Sequence, residues 1–308
     1  MSNSDIGTFK TCRRKWYFSS YLGLRDRHEP VMGPLHLGTR VHAALERHYA
    51  YGHDLEEAYV EIAEAELETL ISSGVVFDER AWRKETELGR IMLVGYIEWL
   101  AETGADMNLE VLGVEEKLSY DMEIAGEKVR LVGKMDLRVK DTHTGQNLIM
   151  DWKTTNNFTR LTDDILMNEQ LLTYMLLERL NYKEGDHQFL QGAVFIMLRK
   201  VTRGPRSKPP YYERVEIHHR KRRLLSFHTR LIGTLTDYIR VVKHLDEGVD
   251  HKLVAYPTPG QQCRYCPFKH VCDMAEDNTD ISDMVNDLYT QGDPHERYGA
   301  SETEEIAS

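Results

Sequence analysis

The most informative absences in this sequence are long apolar runs, a nucleotide-binding P-loop and cysteine. No apolar stretch approaches the ~20 residues of a membrane-spanning helix, and the N-terminus lacks the basic and then apolar pattern of a signal peptide. The absence of a Walker A sequence excludes a P-loop ATP-driven motor within these residues. We therefore expect an intracellular protein that does not associate with membranes.

Only four of the 308 residues are cysteines. Cys12 stands alone near the start, whereas Cys263, Cys266 and Cys272 form a C-x2-C-x5-C pattern near the end. Because thiols inside cells are kept reduced, this pattern favours metal ligands over two disulfides. Four thiolates suit zinc or a 4Fe-4S cluster, and such a site would join the two ends of the chain.

The sequence also lacks the overall excess of basic residues that favours binding to nucleic acid, since its net charge is -11. The charge is unevenly distributed. Residues 199–230 contain 11 Lys and Arg against 2 acidic residues, whereas residues 273–308 contain 11 acidic residues and one arginine. The basic segment, with Tyr211 and Tyr212, suits backbone contact and base stacking on a single strand, or else forms a solvated hairpin. The last part, 276–308, is predicted to be an acidic and flexible tail.

The order of predicted elements is that of a mixed α/β domain. Periodicity and turn residues predict helices at 4–20, from Gly38 onward, and at 54–72, 79–102, 163–181 and 218–246, with strands at 111–124, 128–140, 147–154, within QFLQGAVFIML and near 211–217. The first helix would place Cys12 in its middle. We expect a single domain at 1–275 with a helical insertion at about 52–105.

A carboxylate and an ammonium group share one face of a predicted strand. Asp151 and Lys153 lie two residues apart in IMDWKTT, and side chains alternate between the faces of a strand. Asp136 lies on the preceding strand, on the face opposite to the leucines, so that the two aspartates would converge on one cation if the strands are neighbours. Oxygen ligands of this kind hold Mg²⁺ or Mn²⁺ for phosphodiester hydrolysis, and a lysine orients the attacking water or stabilises the developing charge.

Each pattern also has an ordinary structural explanation. A D-x-K in a strand is common, a histidine on an amphipathic helix such as His42 is usually structural or solvated, and the Q-x3-Y spacing of Gln170 and Tyr174 is nearly uninformative alone. Glu115 and Glu116 suit a solvated strand edge, although Glu116 is within reach of the metal site. The joint occurrence of these residues in this order is what indicates a nuclease.

These residues and the four cysteines resemble the RecB-like branch of the PD-(D/E)xK nucleases that carries an iron-sulfur cluster, which includes CRISPR-associated RecB-like exonucleases and their phage relatives. The resemblance covers about residues 1–275, with Met135 in place of the proline of the motif's name. It implies a restriction-endonuclease-like αβββαβ core with a helical insertion and a C-terminal cysteine-ligated segment. The residues it assigns are Asp136, Asp151, Lys153, Gln170 and Tyr174 for catalysis, His42, Asp136 and Asp151 for the metal, and Cys12, Cys263, Cys266 and Cys272 for a 4Fe-4S cluster.

The same resemblance implies a metal-dependent exonuclease that degrades DNA from single-stranded or duplex ends, in recombination, repair or phage DNA processing. An imidazole ligand favours Mn²⁺ over Mg²⁺, and the one-plus-three division of cysteines favours a cluster over zinc. A helicase or recombination protein is the expected partner, in the cytoplasm of a bacterial or phage-infected cell. Two alternatives remain: an inactive nucleic-acid-binding protein with an iron-sulfur or zinc site, and an iron-sulfur electron carrier.

Overall fold

The computed structural model describes residues 1–28, 30–162, 165–181 and 190–293. In chain order, the elements are α1 (Asn3–Thr11), α2 (Arg13–Trp16), β1 (Leu24–Asp26), α3 (Pro34–Tyr51), α4 (Leu55–Ser72), α5 (Glu79–Thr103), β2 (Leu109–Ile124), β3 (Glu127–Asp141), β4 (Asn147–Thr155), α6 (Thr159–Thr162), α7 (Glu169–Asn181), β5 (Leu190–Arg199), β6 (Tyr212–His218), α8 (Lys221–Asp246), α9 (His251–Val254), α10 (Lys269–Glu276), α11 (Ser282–Leu288) and β7 (Tyr289–Gln291). Within these residues, no helix combines the length and the apolarity needed to cross a lipid bilayer.

The chain forms two compact units, each built from separate segments. Unit 1 comprises Met1–Glu29, Ser119–Gly133 and Lys221–Ser308, and unit 2 comprises Pro30–Leu118 and Lys134–Arg220. All the candidate catalytic residues therefore belong to unit 2, and all four cysteines belong to unit 1.

A five-stranded sheet has the order β2-β3-β4-β5-β6. β4 pairs antiparallel with β3 and parallel with β5, and β5 pairs antiparallel with β6. Ala125 and Gly126, with φ values of 53° and 80°, form the predicted turn between β2 and β3. The succession α3, β2, β3, β4, α7 and β5 confirms the predicted α/β fold with its αβββαβ order.

β4 is the middle strand of the sheet, and its first six residues are all buried. Leu148, Met150 and Trp152 share one face of β4, and all three belong to a core cluster with apolar residues of α3, α4 and α5. The neighbouring strand β3 alternates buried and partly exposed residues along its length, as a strand covered mainly on one face does. This alternation leaves Asp136 on the less covered face.

Helices α4 and α5 occupy the predicted helical insertion. Each begins at an aspartate whose carboxylate accepts a backbone N–H: Asp54 from Glu57 at 3.0 Å and Asp78 from Ala81 at 2.9 Å. A buried arginine of α3, Arg40, forms ion pairs with Glu85 at 2.5 Å and with Glu66 at 3.5 Å. These charged contacts fix α3 against α4 and α5 close to His42.

The helix predicted at 4–20 is interrupted at Cys12, whose backbone is extended with φ -159° and ψ 109°. The Arg14 N–H donates to the Tyr256 carbonyl at 3.1 Å, and the Thr258 N–H donates to the Cys12 Sγ at 3.5 Å. The segment 256–258 thus forms hydrogen bonds with the Arg14 N–H and the Cys12 sulfur. A continuous helix would use the first group internally and would direct the second elsewhere. The prediction that Cys12 lies in the middle of a helix is wrong.

Part of the segment predicted as a flexible tail is folded. β7 pairs antiparallel with β1, the Tyr289 ring stacks on Phe268 with centroids 5.2 Å apart, and the Tyr289 hydroxyl donates to the Pro267 carbonyl at 2.8 Å. Aromatic packing therefore outweighs the acidic composition in this part of the chain. Residues 294–308 lie outside the described residues, and for them the tail stays a prediction, as does the single domain at 1–275.

Candidate active site

Three side chains from three elements of unit 2 meet at one point. Ligand atoms of His42 on α3, Glu115 on β2 and Asp136 on β3 all lie within 4.8 Å of one another. The His42 Nδ1 is 3.2 Å from the Asp136 Oδ2, which also accepts the Trp152 N–H at 3.1 Å. One imidazole and two carboxylates are ligands that suit Mn²⁺ or Mg²⁺.

Asp151 lies next to this group without belonging to the same set of close ligand atoms. Its side chain is 0% exposed, and its Oδ2 is 2.5 Å from the Lys153 Nζ. Burial raises the pKa of Asp151 to about 6, and the negative charge of Asp136 adds to this effect while Lys153 opposes it. The predicted metal set of His42, Asp136 and Asp151 is therefore brought into one neighbourhood, but the tightest set has Glu115 in place of Asp151.

The charges of the site act on one another. Burial disfavours protonated His42, but the hydrogen bond and charge of Asp136 outweigh it, and the pKa of His42 is raised. Burial likewise works against the charged form of Asp136, yet His42 and Lys153 lower the pKa of Asp136. The pKa of Glu115 is raised, chiefly by burial, with Lys134 opposing. Partly buried carboxylates held this close repel each other, and a divalent cation relieves that repulsion, so the residues fit such an ion.

Gln170 connects the lysine to the aspartate. Its Oε1 accepts from the Lys153 Nζ at 2.9 Å, and its Nε2 donates to the Asp151 Oδ1 at 3.1 Å and to the Tyr174 hydroxyl at 2.9 Å. Gln170 and Tyr174 lie four residues apart on α7, so they share a helix face. The structure therefore places all four of these predicted site residues in one hydrogen-bonded network.

Glu115 is the site residue that was not predicted from the sequence. Glu116, the glutamate expected to reach the metal, instead forms an ion pair with Arg138 at 2.9 Å. Glu115 has a φ of 53°, which is unusual for a residue other than glycine and breaks the regular alternation of β2. A break in the apolar alternation around Gly113 is the only pattern in the sequence that hints at this change of face.

The four cysteines lie in unit 1 and form no disulfide. Cys12 is buried, whereas Cys263 lies within a short 3-10 turn, Cys266 follows the end of that turn, and Cys272 lies on α10. Burial raises the pKa of Cys266, and it raises the pKa of Cys272 to about 11, with Cys12 adding to both shifts. The thiols thus influence one another electrostatically. In the described part of the chain, none of them belongs to a ligand set as tight as that of His42.

The first part of the basic segment, residues 200–211, forms the connection between β5 and β6. Arg199, Arg206 and Lys208 line a surface pocket of about 790 Å³ there. Tyr212 is buried, and its hydroxyl donates to the Met92 carbonyl at 2.6 Å, so it is not available for base stacking. The Arg203 guanidinium lies 3.6 Å from the centroid of the Tyr211 ring. The expectation of two stacking tyrosines is therefore wrong for Tyr212.

A family model described as the PD-(D/E)XK nuclease superfamily matches residues 1–273. Similar solved structures include SSO0001, with 13% identity, a TM-score of 0.33, and 77% of this chain and 83% of that chain covered. The alkaline exonuclease LHK-Exo from Laribacter hongkongensis has 17% identity and a TM-score of 0.31, with 69% of this chain and 95% of that chain covered. The structure of LHK-Exo in complex with dAMP has 14% identity and a TM-score of 0.30, with the same two coverages of 69% and 95%. No curated protein matches.

Proposed function

The chain belongs to the PD-(D/E)XK nuclease superfamily, and from that premise we propose that it is a DNA exonuclease that uses Mn²⁺ or Mg²⁺ to hydrolyse phosphodiester bonds at single-stranded or duplex ends. The five-stranded sheet and its helices agree with a restriction-endonuclease-like fold. The observation that carries the proposal is the meeting of His42, Glu115 and Asp136 beside the ion pair of buried Asp151 with Lys153.

In this proposal, His42, Glu115 and Asp136 hold the divalent ion, and Asp151 supplies a further carboxylate beside it. When bound, such an ion lowers the pKa of a water molecule and neutralises charge on the phosphate. Lys153 is a cation beside Asp151, and its ammonium group stabilises the charge that develops on the phosphate oxygens.

Gln170 and Tyr174 act by positioning Lys153. The Lys153 ammonium donates to Gln170, packs at 5.5 Å from the centroid of the Phe195 ring, and faces Asp151. A lysine side chain has several rotatable bonds, so these three contacts select one direction for its charge before substrate arrives. Substitution of Gln170 should therefore weaken catalysis less than loss of the lysine itself.

We further propose that the chain belongs to the RecB-like branch with an iron-sulfur cluster, and that Cys12, Cys263, Cys266 and Cys272 hold a 4Fe-4S cluster. The presence of four free thiols in one unit, close enough for Cys12 to act electrostatically on Cys266 and Cys272, supports this assignment. The one-plus-three division of the cysteines along the sequence favours a cluster over a single zinc ion. The cluster would be structural, since it would join α1 and α10 across most of the sequence.

The proposed setting is recombination, repair or phage DNA processing in the cytoplasm of a bacterial or phage-infected cell. Because the sequence contains no Walker A motif, a helicase or recombination protein would supply any unwinding.

Linear and circular single-stranded DNA of equal length distinguish the proposed activity from its alternatives. We expect the protein with Mn²⁺ to degrade the linear strand to short products and to leave the closed circle intact, and we expect excess EDTA to stop the reaction. Products are measured on denaturing gels with either end labelled. Equal cutting of the circle would contradict the exonuclease, and no cutting of these substrates or of a linear duplex with Mn²⁺ or Mg²⁺ would contradict the nuclease.

A further inference from the structure

Unit 1 contains a groove that the proposed catalytic chemistry does not use. It lies between α1, α2, α8 and the segment 256–258, has a volume of about 560 Å³, and is lined chiefly by Lys10, Arg13, Arg230, Gly233, Asp237 and Tyr256. We call it the unit 1 groove. A volume of this size holds a nucleotide with its phosphate.

The groove is positively charged in a protein whose net charge is -11. Lys10, Arg13 and Arg230 line it with a single acidic residue, Asp237. Asp237 is engaged by Arg13 and also by Arg240, so its charge is shared between two arginines. Among the described residues, the Arg230 guanidinium has no carboxylate partner and lies 5.8 Å from the Phe227 ring. The surplus positive charge suits an anionic ligand.

The groove also presents an aromatic surface. The Tyr256 side chain is 46% exposed. The Arg13 guanidinium lies 4.9 Å from the centroid of the Phe9 ring and 5.2 Å from that of the Tyr256 ring, which fixes a planar cation between two rings. Aromatic rings and arginine planes next to cationic groups are the surfaces on which the bases of single-stranded nucleic acid stack.

Backbone hydrogen bonds hold this wall of the groove in place. The Tyr256 carbonyl accepts the Arg14 N–H at 3.1 Å, and the neighbouring Ala255 carbonyl accepts from the Arg14 Nε at 2.8 Å. The Thr258 N–H donates to the Cys12 Sγ at 3.5 Å. These contacts fix the backbone from which the Tyr256 ring extends and use no part of the side chain, so this wall of the groove is formed before any ligand binds, which lowers the entropic cost of binding.

Gly233 gives the ligand access to the helix that lines the groove. It lies in the interior of α8, is exposed, and a Cβ added at this position would meet no atom within 4 Å. Glycine costs about 1 kcal/mol relative to alanine in such a position. Packing within the described residues does not require a glycine here, and the open space beside Gly233 would let a ligand approach the α8 backbone closely.

We propose that the unit 1 groove binds single-stranded DNA, with phosphates on Lys10 and Arg230 and a base stacked on Tyr256. The inference rests on the proposed nuclease for the identity of the nucleic acid, and it adds a strand-binding site in the unit that does not carry the candidate active site.

Fluorescence anisotropy with a fluorescein-labelled oligothymidylate of about 20 nucleotides, in EDTA so that no cleavage occurs, tests the proposal. Arg230→Ala should weaken binding about tenfold. It should also reduce the number of counterions released on binding, measured from the slope of log affinity against log salt concentration, by about one. Gly233→Glu should also weaken it about tenfold, whereas the uncharged Gly233→Gln, of equal size, should bind more tightly than Gly233→Glu. Tyr256→Leu should weaken binding of the oligonucleotide about tenfold and leave binding of a blunt duplex unchanged.

Thermal unfolding of each variant serves as the control for folding, and Gly233→Gln controls for the added side chain. Wild-type binding of the oligonucleotide together with unchanged binding by Arg230→Ala, Gly233→Glu and Tyr256→Leu would overturn the groove and leave the proposed nuclease standing. If Tyr256→Leu lowered the affinity for the single strand and for the blunt duplex equally, the assignment of the groove to single strands would be overturned. Failure of the wild-type protein to cut any DNA with Mn²⁺ would instead count against the proposed nuclease, so the two failures are distinguishable.

Discussion

Lys153→Ala is expected to lower the rate of DNA cleavage by about a hundred- to a thousandfold. The Lys153 ammonium is the cation that faces Asp151 at 2.5 Å and Gln170 at 2.9 Å, and no other lysine or arginine among the described residues pairs with Asp151. Removal of Lys153 leaves the metal ligands in place but removes a positive charge from the position where the phosphate charge develops. Single-turnover cleavage of end-labelled DNA at saturating Mn²⁺ measures the effect.

Lys140→Ala is the matched control for this experiment. Lys140 is an exposed lysine on β3, the neighbouring strand, and is paired in register with Asn147. Its substitution should change the rate less than twofold, as expected for a surface charge. A rate for Lys153→Ala within tenfold of the wild type, in protein that still binds Mn²⁺, would remove Lys153 from the catalytic machinery.

Cys12→Ser is expected to remove the iron and sulfide from unit 1 and to lower the thermal midpoint of the metal-loaded protein by about 20 °C or more. A structural metal site contributes roughly 10 kcal/mol or more to folding, and each kcal/mol shifts the midpoint of a domain of this size by about 2 to 4 °C. Iron and sulfide analysis, absorbance near 400 nm and calorimetry of anaerobically purified protein measure both effects.

The same substitution in metal-free, reduced protein provides the comparison. Serine keeps an acceptor for the Thr258 N–H, which Cys12 accepts at 3.5 Å, so the midpoint should then change by only a few degrees. A colourless wild-type protein with one bound zinc would contradict the cluster and leave a thiolate site. A wild-type protein without either metal, whose stability Cys12→Ser does not change, would contradict both.

The sequence was sufficient to predict the elements around the candidate site because their patterns are regular. Strict alternation placed Asp151 and Lys153 on one face of β4, and the apolar alternation of β3 placed Asp136 opposite the leucines. The Q-x3-Y spacing likewise predicted that Gln170 and Tyr174 share a face of α7, since residues four apart on a helix are neighbours.

The features that could not be predicted depend on contacts between distant parts of the sequence. Glu115 faces the metal site because its positive φ reverses the alternation of β2 at one residue. Cys12 leaves the helix because a segment more than 240 residues later binds its sulfur and the Arg14 N–H. Tyr212 packs in the core, although the basic residues around it suggested an exposed position. Local propensity contains no information about any of these contacts.

Calorimetric titration with Mn²⁺ tests the central claim most directly, which is that His42, Glu115 and Asp136 hold one divalent ion. We expect Asp136→Asn to abolish binding at this site and Glu115→Gln to weaken it by tenfold or more, since each removes a charged ligand. Glu116→Gln is the matched control, because Glu116 pairs with Arg138 and should leave the affinity unchanged. Equal Mn²⁺ affinity in the wild type, Asp136→Asn and Glu115→Gln would contradict the account.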